Sequence, residues 1–292
     1  MRKKVVLNKP SDRQFRPGHP WIYQSQIHTF PKDAQAGELV DVVSSGGTFL
    51  GIGYSNPRSQ ISVRLLASEK IEIDKEFFKT KITRALQFRK RHVSETNAFR
   101  LISSEADDLP GLIVDLYGEI LVVQFLTLGM ERLRDIVLTA LEEAVPSRGI
   151  FERSDSSSRA IEGLPERVGW IQKNCGEETV VHEKDVQYVL KFGEGHKTGL
   201  YLDQRENRLL LRGLPVKGKA LDAFCYEGGF GLHLAKEGWR VTGVDIQPET
   251  IRRAEEHRDK NGLSKDVLSF KAANVFDELK ELDSKNAKYD LI

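Results

Sequence analysis

The last third of the chain alternates apolar runs with amphipathic stretches, and this alternation constrains the fold more than any other feature. Apolar runs in "KALDAF", "WRVTGVD" and "VLSFKAA" are separated by "FGLHLAKEG" and "PETIRRAEEHRDKNG", which have helical periodicity. Strands that alternate with helices form βαβ units around a parallel sheet. The final residues, "YDLI", have the pattern of a fourth strand that begins where the chain stops. We therefore expect an open α/β sheet over residues 186–292, truncated at its fourth strand.

The turn between the first two of these strands holds residues that point to a ligand. In "ALDAFCYEGGFGLHLAKEGWRVTGVD" the first strand ends near Asp222, the turn contains Gly228 and Gly229, and the second strand ends at Asp245. Open α/β folds bind ligands at the carboxyl ends of their strands. Glycines let the backbone approach a ligand closely, and Asp245 is placed to accept hydrogen bonds from two ribose hydroxyls. An ordinary strand–turn–helix connection with a tight glycine turn is the alternative interpretation.

The charge of this turn distinguishes between two nucleoside cofactors. NAD-binding folds combine G-x-G-x-x-G with a pyrophosphate at a helix N-terminus. Here the glycines read G-G-x-G, and carboxylates at Asp222 and Glu227 would repel a pyrophosphate. The carboxylate of Asp222 would instead attract the ammonium and sulfonium groups of S-adenosylmethionine (SAM). Asn274, after the third strand, could meet the adenine amino group, although asparagine is also a common turn residue. These residues favour SAM over NAD.

Residues 1–68 have the pattern of a small β-barrel. Short apolar runs predict strands at roughly 39–43, 48–54 and 61–66, separated by turn residues. Ahead of them, "FRPGHPWIY" is rich in proline, glycine, aromatic residues and arginine, which predicts an irregular turn. A small barrel with a basic edge is a common RNA-binding shape, although shape alone is weak support for a function.

Residues 69–185 have an α+β pattern. A basic amphipathic helix fits 75–92, two strands meet at Gly118-Glu119, and another strand fits "RGIFERSD". Between these strands we predict a helix over 130–144. Its apolar stripe consists of Leu133, Ile136, Val137, Ala140, Leu141 and Ala144.

A turn into a helix is predicted for "TGLYLDQRENRLLLRGL", ahead of the α/β segment. Asp203 could cap this helix, with Glu206 three residues later as in a capping box. Gly213 and Pro215 are expected to end it.

The distribution of basic residues says more than the net charge of +1. Residues 1–20 carry six lysines and arginines against one acid, and "KTKITRALQFRKRH" (79–92) carries six and no acid. Such clusters on a near-neutral chain indicate a polyanion footprint, and a solvated helix face is the alternative. The candidate RNA-binding residues are Arg13, Arg16, His19, Arg89, Lys90 and Arg91.

Composition excludes several other classes of protein. A chain with 39% hydrophobic and 30% charged residues can form a core in each domain. No apolar run approaches the roughly 18 residues that predict a membrane helix. The two cysteines imply no disulfide framework, so we expect a cytoplasmic protein. We expect no metal site, since the histidines have no recognisable ligand spacing.

Five stretches together resemble one known family. "FRPGHPWIYQSQI" resembles a PUA opening, "LISSEADDLPGLIVDLYG" and "IFERSDSSSRAIEGL" resemble central-domain signatures, and "HKTGLYLDQRENR" and "LDAFCYEGGFGLHLA" resemble linker and cofactor motifs. The family is the bacterial ribosomal RNA large-subunit methyltransferase I family, and the resemblance covers essentially the whole chain. It implies an N-terminal PUA-like β-barrel (1–68), a central α+β domain (69–185) and a Rossmann-like SAM-dependent methyltransferase domain (186–292).

The resemblance also implies an activity and a site. The activity is methyl transfer from SAM to C5 of a cytosine in 23S ribosomal RNA or its precursor, and a homodimer is left open. Asn274 stands where the family commonly has aspartate, and Glu227 replaces a small hydroxyl residue, which adds negative charge beside the cofactor. The implied cofactor contacts are Lys197, Gln204, Arg205, Asp222, Phe224, Tyr226, Gly228, Gly229, Asp245 and Asn274.

No catalytic residue is assigned within the chain. Cytosine C5 is a poor nucleophile, and enzymes of this class activate it by adding a cysteine thiolate to C6. The resemblance places that cysteine after the fourth strand, so we expect it beyond Ile292. Cys225 is expected to be a small packing residue, and Cys175 lies in the central block. The first alternative is a catalytically inactive RNA-binding protein with a partial SAM fold, and the second, less favoured one is an NAD-linked oxidoreductase.

Overall fold

A computed structural model describes residues 2–14, 19–194 and 198–292, with the side chains of residues 12–14 left out. The chain divides into two compact units. The first contains Met1–Ser94 and Phe99–Cys175, and the second contains Glu95–Ala98 and Gly176–Ile292. The predicted boundary between residues 185 and 186 falls in the turn of a hairpin within the second unit. The division into three domains stays a prediction.

The N-terminal part of the first unit is a six-stranded sheet. Its order is β2-β6-β5-β4-β1-β3, in which β1 and β4 are parallel and the other pairs are antiparallel. The three strands predicted from the apolar runs are β4, β5 and β6. The elements are β1 (Lys3–Leu7), α1 (Lys9–Gln14), β2 (Trp21–Tyr23), β3 (Ile27–Thr29), β4 (Leu39–Val43), β5 (Phe49–Ser55) and β6 (Ile61–Ala67).

The segment "FRPGHPWIY" is only partly irregular. Residues 15–18 lie outside the described residues, but residues 21–23 form strand β2. The prediction of an irregular turn was wrong for these three residues, because Trp21 and Ile22 pair with Arg64 and Val63 on β6. A strand of three residues is too short to show an alternating pattern, and the prolines and glycine before it predict a turn instead.

The rest of the first unit is a five-stranded sheet covered by helices, in the order β11-β10-β9-β8-β7. Helix α2 begins at the predicted residue, with its N-cap Asp74 accepting a hydrogen bond from the Phe77 backbone N–H at 2.9 Å. It buries Phe78, Ile82 and Leu86 in the main core. The elements are α2 (Lys75–His92), β7 (Ala98–Ser103), β8 (Leu112–Tyr117), β9 (Ile120–Phe125), α3 (Leu128–Arg132), α4 (Arg134–Ala144), β10 (Gly149–Ser154), α5 (Ser158–Ile161) and β11 (Arg167–Gln172).

The single helix predicted over 130–144 is two helices with a break at Leu133. Because the helix restarts at Arg134, its buried face differs from the predicted stripe. Leu138 is buried, whereas Ile136 is 36% exposed. The prediction was therefore wrong for Ile136.

The second unit contains a hairpin and a parallel sheet. The sheet order is β14-β15-β16, with helices between the strands as predicted. Leu291 forms a parallel bridge with Ala220 on β14, which is the start of the predicted fourth strand. The elements are β12 (Glu178–Glu183), β13 (Val186–Lys191), α6 (Arg205–Arg212), β14 (Lys219–Ala223), α7 (Gly229–Lys236), β15 (Arg240–Asp245), α8 (Pro248–Lys260), β16 (Leu268–Ala272) and α9 (Val275–Ser284).

Helix α6 is entered through a 3-10 turn, Leu202–Gln204. Gln204 is its N-cap and makes no side-chain capping bond, so the predicted capping box of Asp203 and Glu206 was wrong. The reason is that Asp203 lies inside the 3-10 turn, one residue before the N-cap. Gly213 ends the helix as predicted. Within the described ranges, no helix is both long and apolar enough to cross a membrane.

Candidate cofactor site

A cavity of about 470 Å³ opens at the carboxyl end of the parallel sheet. This volume lies within the range of small-molecule sites. Three segments supply most of its wall: the approach to α6, the turn after β14, and the residues that follow β15. The lining residues are Tyr188, Leu200, Tyr201, Gln204, Arg208, Phe224, Cys225, Tyr226, Glu227, Gly229, Phe230, Asp245, Ile246, Gln247 and Thr250.

The turn after β14 has an uncommon backbone. Phe224 and Tyr226 have φ angles of 60° and 50°, in the left-handed region that bulky residues seldom occupy. Such conformations cost roughly 1–3 kcal/mol each and cluster at ligand sites. The turn is held in place because the backbone N–H of Cys225 donates to the carbonyl of Val244 at 3.0 Å. The strain thus presents both aromatic side chains to the cavity.

Asp245 joins the turn to the end of β15. Its Oδ2 accepts from the Tyr226 backbone N–H at 3.0 Å, and its Oδ1 accepts from the Gln247 N–H at 3.2 Å. Each carboxylate oxygen can accept a second hydrogen bond. Asp245 also lines the cavity, so it can meet hydroxyl donors there while it holds the turn.

Asp222 lies against the first turn of α7. Its Oδ2 accepts from the Gly231 backbone N–H at 2.9 Å. Burial raises the pKa of Asp222 to about 7, and the nearby Asp245 carboxylate adds to the increase. A cation close to this turn would favour the ionised form. Among the described residues, Asp222 lies behind the cavity wall rather than on it.

The two glycines of the turn have different roles. Gly228 is the N-cap of α7 with φ 77°, and a Cβ there would lie 2.5 Å from the Phe270 ring. Its glycine is therefore required by packing and backbone conformation. Gly229 lines the cavity, and a Cβ there would lie 3.2 Å from Cδ of Arg208, so glycine at this position lets the Arg208 side chain pack against the turn.

Glu227 is paired within the protein. Its side chain is buried, and its Oε1 lies 2.8 Å from Nε of Arg253, which is also buried. The negative charge that we expected Glu227 to add beside the cofactor is therefore offset by Arg253.

A buried cluster beneath the cavity was missed by sequence reasoning. Arg208 donates from Nε and Nη2 to the two oxygens of Glu183, at 2.9 and 2.5 Å. Tyr188 donates to Glu183 at 3.4 Å, and Nε2 of His233 lies 3.2 Å from the same oxygen. Arg208 also donates to the backbone carbonyl of Tyr201 at 3.1 Å. We call Glu183, Arg208, Tyr188 and His233 the Glu183 cluster, and it supports the cavity wall at Tyr201.

The Glu183 cluster contains an ionised carboxylate. Burial alone would raise the pKa of Glu183, but hydrogen bonds from His233 and Arg208 hold it down at about 2. Burial lowers the pKa of His233, which keeps its imidazole neutral and able to donate one hydrogen bond. The sequence offered a signal for Arg208, in "LYLDQRENR", but none that distinguishes Glu183 from the other polar residues of strand β12, "ETVVHE".

The other predicted cofactor residues are distributed unevenly. Gln204, Phe224 and Tyr226 line the cavity. Arg205 is buried, donates to Glu206 and is not among the described lining residues. Lys197 lies outside the described residues.

Asn274 has a structural role. It is the N-cap of α9, and its Oδ1 accepts from the Phe276 backbone N–H at 2.9 Å. This cap accounts for asparagine after the third strand. A contact with adenine stays a prediction.

Cys225 is placed for packing rather than for nucleophilic attack. Cys225 is buried, and burial together with Asp222 raises the pKa of its thiol. Cys175, in the first unit, has its Sγ 3.2 Å from the Lys173 carbonyl. Within the described ranges, no group of three or more His, Cys, Asp or Glu side chains could hold a metal ion.

The predicted RNA-binding residues differ in how free their charges are. Arg89 donates two hydrogen bonds to Asp107, at 2.7 and 2.6 Å, so its charge is offset internally. Lys90 and Arg91 are exposed, and so is His19. The side chain of Arg13 and all of Arg16 lie outside the described residues.

Two family models match separate segments of the chain. The family model of a PUA-like domain matches residues 5–68, and that of a methyltransferase domain matches residues 216–292. Ribosomal RNA large subunit methyltransferase I from Alteromonas mediterranea is 34% identical over 100% of this chain and 75% of its own length. The protein of the same name from Shewanella amazonensis is 35% identical over 99% and 74%.

Solved structures share the fold. A methyltransferase crystallised with SAH matches 99% of this chain and 75% of its own, with a TM-score of 0.85 and 21% identity. A SAM-dependent methyltransferase from Streptococcus mutans matches 99% and 76%, with a TM-score of 0.82 and 21% identity. Together with the two family models, these matches confirm the predicted multidomain fold class.

Proposed function

The chain belongs to the ribosomal RNA large subunit methyltransferase I family, and we propose that it methylates C5 of a cytosine in 23S ribosomal RNA. At the coarser level it is a SAM-dependent ribosomal RNA methyltransferase. When bound, SAM supplies an electrophilic methyl group on its sulfonium sulfur. The choice of cytosine C5 and of 23S RNA rests on the resemblance of the five sequence motifs.

The observation that carries the cofactor assignment is the hydrogen bond from Gly231 N–H to Asp222. A pyrophosphate would need the free N–H groups at the N-terminus of α7. Asp222 already uses one of them and places a carboxyl group beside the rest. A dinucleotide would meet repulsion there, whereas a cationic methionine group would be attracted. The residues therefore fit SAM and disfavour NAD.

The cavity suggests which residues hold each part of SAM. Asp245 would accept hydrogen bonds from the ribose hydroxyls, since it lines the cavity with spare acceptor capacity. Phe224 and Ile246, each 59% exposed, offer apolar surface for the adenine ring. Gln204, Tyr226 and Gly229 complete the wall around the methionine part. Asn274, Arg205 and Lys197 remain proposed contacts on the strength of the resemblance.

The nucleophile is not assigned to either cysteine of this chain. Cys225 is buried with a raised thiol pKa, so it lacks the thiolate character that addition to cytosine C6 would need. The proposed role of the residues that line the cavity is to bind and orient the cofactor.

The first test is cofactor binding measured by calorimetry. We expect SAM to bind and NAD not to bind. Asp245→Asn should weaken SAM binding by about tenfold or more, because a charged hydrogen-bond acceptor is lost. Asp266→Asn, an exposed aspartate of the same unit, is the matched control and should change nothing. Binding of NAD in place of SAM would overturn the cofactor assignment.

The second test is the chemical identity of the product. Radiolabelled SAM is incubated with the chain and 23S ribosomal RNA, and the digested nucleosides are separated by mass. Because no nucleophile is assigned within residues 1–292, the C5 assignment predicts the position of a transferred methyl group rather than the rate of transfer, and any labelled product should be 5-methylcytosine. A methyl group on another atom contradicts the C5 assignment, and RNA binding without transfer favours the inactive RNA-binding alternative. Analytical ultracentrifugation of the intact chain decides whether it forms the homodimer that the sequence left open.

A further inference from the structure

The exposed face of helix α2 carries an aromatic side chain that neither the core nor the cofactor site uses. Phe88 is 48% exposed. Arg84 and His92 lie one turn before and one turn after it, at i−4 and i+4. A single exposed aromatic is ordinary on a protein surface. The cations beside this one, which include the exposed Arg84 and Arg91, make it unusual.

The ring of Phe88 is held in one orientation. The Arg89 guanidinium lies 5.4 Å from the ring centroid and is itself fixed by two hydrogen bonds to Asp107. The His92 ring lies 4.4 Å from the Phe88 ring, tilted by 40°. A side chain that is already ordered loses little conformational entropy when it binds a partner. Arg89 thus acts on Phe88 rather than on phosphate.

A cleft of about 230 Å³ lies beside the ring, between α2 and the turn at Asp107-Asp108. Small-molecule sites usually exceed roughly 300 Å³, so this cleft suits one flat ring system. Its rim carries the Arg84 side chain and the Asp108 carboxylate, which lies 3.3 Å from Lys81. Carboxylates accept hydrogen bonds from amino groups of bases, and arginines contact phosphates.

We propose that Phe88, His92 and this cleft form a stacking platform for one unpaired nucleobase of the RNA substrate. Arg84 and Arg91, at i−4 and i+3 from Phe88, contact the flanking phosphates. Proteins that bind single strands combine aromatic rings, on which bases stack, with cations along the backbone. The proposal rests on the proposed function, since RNA is the substrate, and it adds that the RNA is single-stranded where it meets α2.

The test compares single-stranded and paired RNA. Fluorescence anisotropy of the full chain is measured with a labelled RNA of about 12 nucleotides, alone and annealed to its complement, over a salt series. Phe88→Leu keeps an apolar side chain but removes the ring. It should weaken single-strand binding by about tenfold, with an unchanged salt slope and unchanged duplex binding. Phe88→Trp should keep the affinity, and its fluorescence should be quenched by RNA.

Two variants act as controls. Val168→Thr, at an exposed apolar position of the first unit, should leave both affinities unchanged. Arg84→Ala should weaken both and reduce the salt slope, because it removes a phosphate contact. SAM binding and circular dichroism are measured on every variant to verify the fold.

The outcomes separate this proposal from the function. If Phe88→Leu binds single strands as well as the parent does, or weakens duplex binding equally, the platform is wrong while the methyltransferase assignment stands. A parent chain that binds SAM but no RNA overturns the platform together with the RNA substrate. A ring-dependent affinity in a chain that fails to bind SAM leaves the platform standing and removes the cofactor assignment.

Discussion

Two carboxyl groups in the second unit, those of the buried Glu183 and the partly buried Asp222, have opposite surroundings. Glu183 receives hydrogen bonds from Arg208 and His233, and its pKa falls to about 2. Asp222 receives one backbone N–H bond and faces the Asp245 carboxylate, and its pKa rises to about 7. Charge compensation is built into the protein at Glu183. At Asp222 a cationic ligand could supply it.

The difference between the two carboxyl groups suggests different roles, with Glu183 stabilising the cavity wall and Asp222 selecting the ligand. The Glu183 cluster holds Arg208, which in turn holds the cavity wall at Tyr201. At Asp222 the ionised form is unfavourable in the free protein, and our proposal is that the cationic end of SAM would stabilise it. Neutralising each group should therefore change stability in opposite directions.

Neutralising Glu183 is expected to have the largest effect. Glu183→Gln leaves the Arg208 guanidinium buried without its counter-charge, which should destabilise the second unit by about 3–5 kcal/mol. Urea unfolding followed by the fluorescence of buried Trp239 measures it. Because the folded-state pKa lies below the unfolded value of about 4.3, this stabilisation is present at neutral pH and is lost as the pH falls towards 2.

Glu143→Gln is the matched control, since Glu143 also has a pKa near 2, lowered by Lys75 and Lys79, but lies at the surface. Surface pairs of this kind contribute little to stability. Equal losses for the two variants would contradict the assignment of the Glu183 cluster as a buried support.

Neutralising Asp222 should stabilise the free protein and weaken cofactor binding. The raised pKa means that the folded state holds this proton more tightly than the unfolded state, so stability without SAM decreases as the pH rises from about 4 to 7. Asp222→Asn should remove that decrease. If the cationic end of SAM selects the carboxylate, SAM affinity of the parent should fall up to about tenfold per pH unit below 7.

Calorimetry of SAM binding between pH 5.5 and 8, in buffers of different ionisation enthalpy, detects the released proton. Asp222→Asn should bind SAM more weakly at pH 8 and with no pH dependence. A parent protein that binds SAM equally at both ends of the range would remove Asp222 from the account of cofactor selection.

The pair of Glu227 and Arg253 combines features of Glu183 and Asp222, because Glu227 lines the cavity but has a counter-charge within the protein. Both side chains are buried and lie 2.8 Å apart, so a double-mutant cycle of Glu227→Gln and Arg253→Met should give a favourable coupling of about 1–3 kcal/mol. The cycle for the exposed pair of Glu249 and Arg252 is the control and should give a smaller coupling. A coupling near zero at Glu227 would mean that its charge acts on the cavity after all.

The sequence predicts those helices and strands whose apolar residues recur with a regular spacing. Helix α2 and the strands of the parallel sheet were located from local patterns, and the bridge of Leu291 to Ala220 confirms the start of a fourth strand. The cavity edge followed, because the ends of neighbouring parallel strands must meet. The position of Asp245 at this edge, where it lines the cavity, was predicted from that geometry alone.

The parts that sequence reasoning missed depend on distant partners. Glu183 is one of four polar residues in the six-residue strand β12, and its partners Arg208 and His233 come 25 and 50 residues later. The capping prediction at Asp203 failed for a different reason, because local propensity does not tell a 3-10 entry from an ordinary N-cap. The offset of the Glu227 charge by Arg253 was invisible for the same reason as the Glu183 cluster.

The smallest expected effect is at Asn274, where structural and ligand roles can be separated. Asn274→Asp keeps the N-cap of α9, so stability should change by less than about 0.5 kcal/mol, whereas Asn274→Ala should cost about 1 kcal/mol. Unfolding midpoints and SAM affinities of the two variants are compared. If Asn274 only caps the helix, the aspartate variant binds SAM as the parent does. Tighter binding by aspartate would instead show that this position contacts the cofactor, since a carboxylate is the stronger acceptor for the adenine amino group.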